Sequence, residues 1–195
     1  RYIRSETVTQ RLAEILPECD LIVGTEEELH IAGGSENTLD AIRAIRALAP
    51  DATIVCKRGP MGCVVFPGAI PERLEDGVSG PGFPVEVYNT LGAGDAFMSG
   101  FLRGWLRDEA LETCCAYANA CGAFAVSRLL CSPEIPSFAE LQIFLRDGSP
   151  LRALRHDSAL NHLHWATATR APTPERILAL ACDHRMQLEA VARAE

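Results

Sequence analysis

A short glycine-rich turn between a predicted strand and a predicted helix constrains the fold of this chain more than any other segment. Residues 85–88, Val-Glu-Val-Tyr, alternate in polarity and are rich in β-branched and aromatic residues, which predicts a strand. Residues 96–106 are mostly apolar and predict a helix. The sequence Asn-Thr-Leu-Gly-Ala-Gly-Asp at 89–95 therefore places two glycines at a strand-to-helix turn.

The chemistry of this turn suits an anion. Gly92 and Gly94 have no Cβ, so their backbone N–H groups can come close to a ligand. The first N–H groups of a helix have no partner inside it, and the helix dipole makes that end positive, which suits phosphate. Asp95 adds a carboxylate in the first helical turn. The glycines alone also fit a purely structural turn, in which Asp95 only complements the dipole.

Two common nucleotide-binding motifs are excluded by individual residues of the turn. A dinucleotide fingerprint needs a third glycine, and Phe97 occupies that position. A P-loop needs Gly-Lys-Ser/Thr, and the turn contains no lysine. An anion-binding turn followed at once by a carboxylate remains.

Composition and charge limit the kinds of partner. The chain has 195 residues, of which 48% are hydrophobic, and this is enough apolar material for a core. A net charge of −8 argues against nucleic acid or an anionic membrane as the main partner. No apolar run reaches the length of a transmembrane helix, and no signal peptide is visible.

The cysteines indicate a reducing environment. None of the eight forms a Cys-x-x-Cys pair, and most lie in apolar runs, as buried thiols do. We therefore expect free thiols and a cytoplasmic location. The basic residues are almost all arginine, and Lys57 is the only lysine.

The hydrophobic pattern predicts alternating helices and strands. The continuous apolar strand at 52–56 is typical of a parallel sheet covered on both faces. Ser137 and Glu140 form a predicted capping box at the start of a helix. The predicted helices are 5–16, 35–49, 96–106, 111–128 and 137–145, and the predicted strands are 20–23, 52–56, a strand ending at Phe66, and 85–88.

Two charged segments follow predicted strands. Residues 24–29 carry three glutamates, which fit either a solvated first helical turn or a functional site. Lys57 and Arg58 lie at the carboxyl end of a strand, where α/β proteins often bind ligands, although both side chains would also be stable in solvent.

The turn resembles the Asp-Thr-x-Gly-Ala-Gly-Asp signature of the ribokinase-like (pfkB) sugar kinases. This resemblance implies a three-layer α/β fold with a mostly parallel sheet. It further implies that the amides of Gly92, Ala93 and Gly94 hold the transferring phosphoryl group, and that Asp95 is the base that takes the proton of the sugar hydroxyl. Asn89 replaces the first Asp of the signature. The resemblance implies that Asn89 lies with Thr90 on the nucleotide side of the site.

Three further segments resemble nucleotide-site elements of the same family. Residues 25–28 resemble its Asn-x-x-Glu segment, which makes Glu28 a candidate for holding Mg²⁺ through water. Residues 57–62 resemble its nucleotide-lining hairpin, with Gly59 and Gly62 at the glycine positions and with Lys57 and Arg58 directed to phosphate or a substrate carboxylate. Residues 111–128 resemble the helix beside the adenine pocket, with Asn119 near the base. ATP and Mg²⁺ are the implied cofactors, and a monovalent cation is left open.

The end of the chain changes in character. The resemblance to the kinase family ends near Asp147, and residues 148–174 indicate a linker with a short helix at 158–167. We expect no metal site at His162 and His164, because no cysteine or carboxylate lies at ligand spacing nearby. Residues 175–195 resemble the first strand and helix of an aldolase-like barrel. The predicted division is therefore 1–147, 148–174 and 175–195.

Taken together, residues 24–28, 57–62 and 181–185 resemble those kinases of the family that phosphorylate the 6-hydroxyl of 5-dehydro-2-deoxy-D-gluconate in myo-inositol breakdown and carry a barrel domain. Another acceptor (2-keto-3-deoxygluconate, fructose or a nucleoside) and a non-catalytic nucleotide-binding module stay open. We expect small-molecule partners, no nucleic acid and no membrane, and leave homo-oligomer formation open. Since the chain lacks an initiating Met, we expect part of a longer kinase that alone binds nucleotide weakly and turns over little sugar.

Overall fold

The computed structural model describes residues 6–129 and 131–167, which form one sheet flanked by helices. The strands are β1 Leu21–Thr25, β2 Thr53–Lys57, β3 Cys63–Phe66 and β4 Val78–Gly80. The α-helices are α1 Glu6–Ile15, α2 Glu26–Gly33, α3 Thr38–Leu48, α4 Ala93–Trp105, α5 Leu111–Ser127, α6 Phe138–Asp147 and α7 Ser158–Thr167. The predicted barrel strand and helix at 175–195 lie outside the described residues.

The sheet has the strand order β1-β2-β3-β4 and is mixed. β1 pairs with β2 in parallel, with Leu21 opposite Thr53 and Thr25 opposite Lys57. The β2–β3 and β3–β4 pairs are antiparallel. The described part of the sheet is thus less parallel than the sequence predicted, because β3 and β4 return through short connections that allow only antiparallel pairing.

The two faces of the sheet bury alternate side chains, as the period of two along a strand requires. Ile54, Val64 and Phe66 pack with residues of α2 and α3 on one face. Val55 and Val65 pack on the other face with residues of α4 and α5. This gives three layers, helices–sheet–helices, as predicted for an α/β fold. No helix in the described part of the chain is both long enough and apolar enough to cross a bilayer.

Two glycines of α4 lie against α5. A Cβ at Gly100 would lie 2.5 Å from the Tyr117 carbonyl oxygen, and one at Gly104 would lie 2.8 Å from Cys114 Sγ. Neither position can accept a larger side chain without a shift of the facing helix. The glycine-rich turn at the start of α4 therefore stands on a tightly packed helix pair.

Two predicted elements near this turn, and one elsewhere, differ in the structure. Residues 85–88 form no strand, because the segment finds no ladder there: the Tyr88 N–H bonds to the Val126 carbonyl oxygen at 2.7 Å, and the Asn89 N–H bonds to the same oxygen at 3.0 Å. α4 begins at Ala93 instead of residue 96, so Asp95 is the third residue of the helix. α3 also begins later than predicted, at Thr38, because Asn37 caps it.

Residues 148–167 pack onto the helical layer, although the sequence indicated a linker. Leu154 and Leu160 are buried beside α5 and α6. The Leu154 N–H donates to Ser127 Oγ at 2.7 Å. The short helix predicted at 158–167 is confirmed. This segment is thus part of the folded core, and the division of the chain into domains stays a prediction.

All seven described cysteines are free thiols. Burial raises the pKa of the Cys56 thiol to about 12 and that of the Cys121 thiol to about 12. Both thiols are therefore protonated at neutral pH and behave as small apolar core groups.

Candidate active site

A cavity of about 370 Å³ lies where the β2–β3 hairpin meets the first turn of α4 and the middle of α5. Seven of the predicted site residues line it: Lys57, Gly59, Gly62, Thr90, Ala93, Gly94 and Asn119. Its remaining wall is largely apolar and is formed by Phe83, Val85, Val87, Phe97 and Val126, among others. Among the described residues that line this cavity, Lys57 carries the only charged side chain.

The turn before α4 is built to present backbone N–H groups. Gly92 has φ 80° and ψ 0°, a left-handed conformation that favours glycine. Asn89 shapes the turn, because its Oδ1 accepts the Leu91 N–H at 3.1 Å. Within the described residues, the N–H groups of Gly94 and Asp95 have no acceptor. They lie at the positive end of α4 and are available to an anion.

Asn89 has a structural role beyond its own turn. Its Nδ2 donates to the Leu129 carbonyl oxygen at 3.1 Å and so ties the turn to the end of α5. Asn89 and Gly92 shape the turn from outside the cavity wall, whereas Thr90, Ala93 and Gly94 line it.

Asp95 lies in the first turn of α4 and is exposed. Its carboxylate forms no hydrogen bond or ion pair with another residue of the described ranges. Its carboxylate is not part of the cavity wall. It follows Gly94 directly in the first turn of the helix.

Lys57 faces the turn from β2. Its Nζ lies 3.5 Å from Glu28 Oε2, and a Cβ placed on Gly94 would lie 3.7 Å from the same nitrogen. Thr25 and Lys57 pair at the carboxyl ends of the parallel strands β1 and β2. Glu28 lies three residues after Thr25, in the first turn of α2, so this pairing brings the Glu28 carboxylate close to the Lys57 ammonium.

Glu28 is fixed by a capping box at the start of α2. Its Oε2 accepts the Thr25 N–H at 2.6 Å, and Thr25 Oγ1 accepts the Glu28 N–H at 3.2 Å. The acidic segment is thus a helix start, and the same geometry places Thr25 in the cavity wall.

Arg58 is directed away from the cavity. Its Nε lies 3.5 Å from Glu26 Oε1, and it is absent from the cavity wall. The two neighbouring basic residues therefore have different surroundings: Lys57 lines the cavity, whereas Arg58 pairs with Glu26.

Two glycines of the β2–β3 hairpin line the cavity. Gly62 has φ 87° and ψ −129°, and a Cβ there would lie 1.9 Å from the Gly80 carbonyl oxygen. Gly59 has φ 55° and open space around its Cα. Gly62 therefore allows the hairpin to contact the segment after β4, and any side chain would push the two apart.

Asn119 is buried in α5 and holds the same segment from the other side. Its Nδ2 donates to the Gly80 carbonyl oxygen at 2.8 Å and to the Pro81 carbonyl oxygen at 3.2 Å. These bonds orient the side chain, and its amide lies in the cavity wall.

A model of the pfkB family of carbohydrate kinases matches residues 2–137, which is most of the chain. The chain belongs to the pfkB carbohydrate kinase family. A second model, of an uncharacterized protein conserved in bacteria (DUF2090), matches residues 140–195.

Curated pfkB relatives include several sugar-acid kinases. The 5-dehydro-2-deoxygluconokinase of Geobacillus kaustophilus is 28% identical over 141 residues, which are 69% of this chain and 41% of the relative. The ATP-dependent ribose-1-phosphate kinase of Halopiger xanaduensis is 52% identical over only 48 residues, 25% of this chain and 16% of the relative.

Solved structures confirm the ribokinase-like fold. Aminoimidazole riboside kinase from Salmonella enterica, complexed with aminoimidazole riboside and an ATP analog, superposes with a TM-score of 0.61 at 27% identity, over 74% of this chain and 48% of that one. Fructokinase from Vibrio cholerae, bound to fructose, ADP and calcium, superposes with a TM-score of 0.58 at 28% identity, over 70% of this chain and 44% of that one. Our chain thus spans less than half the length of these pfkB proteins.

The site of this pfkB chain fits a phosphate-bearing ligand. Two N–H groups at the start of α4 are open, and the Lys57 ammonium stands opposite. The apolar wall suits the flat face of a base.

The same site offers fewer groups that could hold Mg²⁺. No group of three His, Cys, Asp or Glu residues in the described ranges is placed to hold a metal ion. Glu28 is the carboxylate in contact with Lys57, which faces the turn. An ion there would be held through water, with phosphate oxygens completing a set of hard ligands.

The segment after β4 is part of the site, although it was not predicted from the sequence. Gly82 and Phe83 line the cavity, and a Cβ on Gly82 would lie 2.1 Å from the Pro60 carbonyl oxygen. The signal was the Gly-Pro-Gly run at 80–82, which indicated only a loop.

Proposed function

We propose that this chain supplies the nucleotide and phosphoryl-transfer side of a kinase that uses ATP to phosphorylate the 6-hydroxyl of 5-dehydro-2-deoxy-D-gluconate. One observation carries the proposal: the N–H groups of Gly94 and Asp95 at the start of α4 have no acceptor among the described residues, and a Cβ placed on Gly94 would lie 3.7 Å from the Lys57 ammonium. Phosphoryl transfer depends chiefly on positioning and on stabilising charge, and this arrangement supplies both.

Each group then has a distinct role in the transfer. Asp95 accepts the proton of the attacking hydroxyl as the new P–O bond forms. The amides of Gly94 and Asp95 stabilise the negative charge on the transferring group, whereas the Ala93 N–H, which was also predicted to do so, donates to the Thr90 carbonyl oxygen at 3.3 Å. Glu28 would hold Mg²⁺ through water, and the ion would neutralise phosphate charge. The apolar wall at Phe97 and Val126 limits water beside the nucleotide.

The identity of the acceptor is supported by relatives alone. Kinases named for 5-dehydro-2-deoxygluconate match 66–72% of the chain at 26–29% identity. The short match to a ribose-1-phosphate kinase favours a second candidate, a sugar-phosphate acceptor, because it is the more similar segment at 52% identity. A non-catalytic nucleotide-binding module is a third candidate, since Asn89 lacks the charge of the family signature.

An acceptor panel separates these candidates. The complete gene product is assayed with ATP and Mg²⁺ against 5-dehydro-2-deoxygluconate, 2-keto-3-deoxygluconate, fructose, ribose 1-phosphate and cytidine. The proposal expects the highest kcat/KM for the first. A higher value for ribose 1-phosphate supports the second candidate, and nucleotide binding without transfer to any acceptor supports the third.

We also propose a cytoplasmic location. The described cysteines are free, and disulfides are rare in that reducing compartment. Fractionation of cells that express the complete gene product tests this, with a periplasmic or secreted marker as the reference.

A further inference from the structure

Residues 85–88 form part of the cavity wall without belonging to any regular element. Val85 and Val87 line the cavity, whereas Glu86 and Tyr88 are absent from its wall. No ladder of strand hydrogen bonds holds this segment. Its position therefore depends on a few individual contacts, made by its backbone and by the two side chains that do not line the cavity.

Two backbone hydrogen bonds hold this wall segment. The Glu86 N–H donates to the Arg152 carbonyl oxygen at 2.8 Å, and the Tyr88 N–H donates to the Val126 carbonyl oxygen at 2.7 Å. The second acceptor belongs to α5, which itself lines the cavity. The first belongs to the segment after α6, so residues from the end of the described chain support the wall.

Residues 152–155 are in turn fixed to the end of α5. The Leu154 N–H donates to Ser127 Oγ at 2.7 Å, and Arg155 Nη1 donates to the Ser127 carbonyl oxygen at 3.3 Å. Ser127 is the last residue of α5 and is fully buried. Residues 152–155 thus connect the helix on one side of the cavity with the wall segment on the other.

The Arg155 guanidinium makes the side-chain part of this connection. Its Nη2 donates to Glu86 Oε1 at 2.5 Å, and its Cζ lies 4.5 Å from the centroid of the Tyr88 ring. The hydrogen bond from Arg155 lowers the pKa of the Glu86 carboxyl from its ordinary 4.5, so both partners are charged at neutral pH. An exposed ion pair alone contributes little, but a planar guanidinium can pair, stack and donate at the same time.

We propose that Arg155 is a positioning residue for the nucleotide side of the site: by holding Glu86 and Tyr88, it keeps Val85 and Val87 in the cavity wall. The inference rests on the proposed function, because it assigns this wall to the nucleotide. It deepens that function by naming a residue that acts on the site without lining the cavity.

The location of Arg155 in the chain gives the inference its consequence. The pfkB model matches residues 2–137, and Arg155 lies beyond it, within the 140–195 range matched by the second model. The nucleotide side of this kinase would therefore depend on a segment outside the part of the chain that defines its family.

The contacts predict an effect on nucleotide binding and a much smaller one on transfer. The turn before α4 has ties of its own, since Asn89 bonds to the Leu129 carbonyl oxygen and to the Leu91 N–H. Loss of Arg155 would loosen the wall at Val85 and Val87 and leave this turn in place. An apolar wall contributes to binding of the base in the ground state and in the transition state alike.

Steady-state kinetics of the complete gene product test this effect. Arg155→Met is expected to raise the KM for ATP about fivefold and to change kcat by less than about twofold. Arg155→Lys is expected to recover part of the loss, because lysine can pair with Glu86 but lacks the planar group that stacks and donates to several acceptors.

A matched control and a double-mutant cycle separate positioning from a general effect. Arg152→Met removes an exposed arginine of the same segment and keeps the carbonyl oxygen that accepts the Glu86 N–H, so normal kinetics are expected. Glu86→Ala is expected to raise the KM for ATP, and the double variant with Arg155→Met is expected to show less than the product of the two single effects.

Hydrogen exchange of the backbone amides gives a readout that does not require catalysis. Arg155→Met is expected to speed exchange in peptides covering 85–88 at least about threefold and to leave β2 unchanged. An exchange rate that rises equally across the whole protein would show general destabilisation and would overturn the inference.

Three kinetic results would also overturn it: an unchanged KM for ATP in Arg155→Met, an equal rise in Arg152→Met, and independent effects of Glu86→Ala and Arg155→Met. A complete gene product that does not use ATP would refute the proposed function instead. Exchange at 85–88 would then still decide whether Arg155 holds the wall segment.

Discussion

At the scale of single residues, the site depends on Gly62, a position that a residue with a Cβ cannot fill without strain. Gly62 adopts a positive φ and lies against the Gly80 carbonyl oxygen, which Asn119 also binds.

Lys57 was predicted at the ligand from its place at a strand end, and it lines the cavity. Arg58 was predicted there for the same reason and instead pairs with Glu26. Both residues are basic and follow the same strand, so the sequence predicts the same role for each. Only the direction of each side chain in the structure distinguishes them.

Gly62→Ala is expected to lower the free energy of unfolding by more than about 2 kcal/mol, because the new Cβ meets backbone at 1.9 Å and the φ is strained. Urea denaturation of the 195-residue chain measures this. Gly68→Ala is the control: a Cβ there meets nothing within 4 Å, so a change within about 0.5 kcal/mol is expected. Equal stabilities for the two variants would contradict this description of the hairpin.

At the scale of elements, local pattern predicted what local interactions decide. The capping box of Ser137 and Glu140 is present as predicted, because both partners lie within one helical turn. Residues 85–88 have a strand pattern but no strand beside them in the described part of the chain, and tertiary contacts to Val126 set their path. The helix at 158–167 was predicted, whereas the groups that anchor it were not.

Asp157 anchors this last helix, and its effect on stability is expected to depend on pH. Burial alone would raise the pKa of Asp157, but hydrogen bonds from Ser149, Leu160 and Ala159 outweigh it and hold the pKa below the ordinary 3.8. A lowered carboxyl pKa stabilises the fold above 3.8, and this contribution is lost as the pH falls through the folded-state pKa.

Asp157→Asn is therefore expected to lower the free energy of unfolding by about 1 kcal/mol at neutral pH, with the difference from the parent shrinking below pH 3.8. Urea denaturation at several pH values measures it. Asp76→Asn, in an exposed position before β4, serves as the control. A difference that does not change with pH would rule out the charge of Asp157 as the cause.

At the scale of the whole molecule, the packing of residues 148–167 onto the helical layer could not be predicted from their composition. This segment has the arginines and exposed positions of a linker, yet Arg155 pairs with Glu86 and stacks over Tyr88, far away in the sequence. Such contacts depend on the finished fold and leave no periodic signal. The three-layer order, in contrast, follows from the alternation of predicted helices and strands.

Leu154→Ala tests this docking, because Leu154 is 1% exposed and packs beside α5 and α6. The free energy of unfolding is expected to fall by about 3 kcal/mol. Leu151→Ala, at a position that is 43% exposed, is expected to change it by less than about 0.5 kcal/mol. Small and equal effects would show that 148–167 does not contribute to the core in solution.

The central claim is that the turn before α4 performs phosphoryl transfer with Asp95 as the base. Its most direct test is kcat for Asp95→Asn in the complete gene product, measured beside the Kd for ATP and beside Asp108→Asn, an exposed aspartate beyond the other end of α4. The account predicts that Asp95→Asn lowers kcat by about 10² to 10⁴-fold with ATP binding little changed, and that Asp108→Asn retains normal turnover. Near-normal turnover in Asp95→Asn would contradict it.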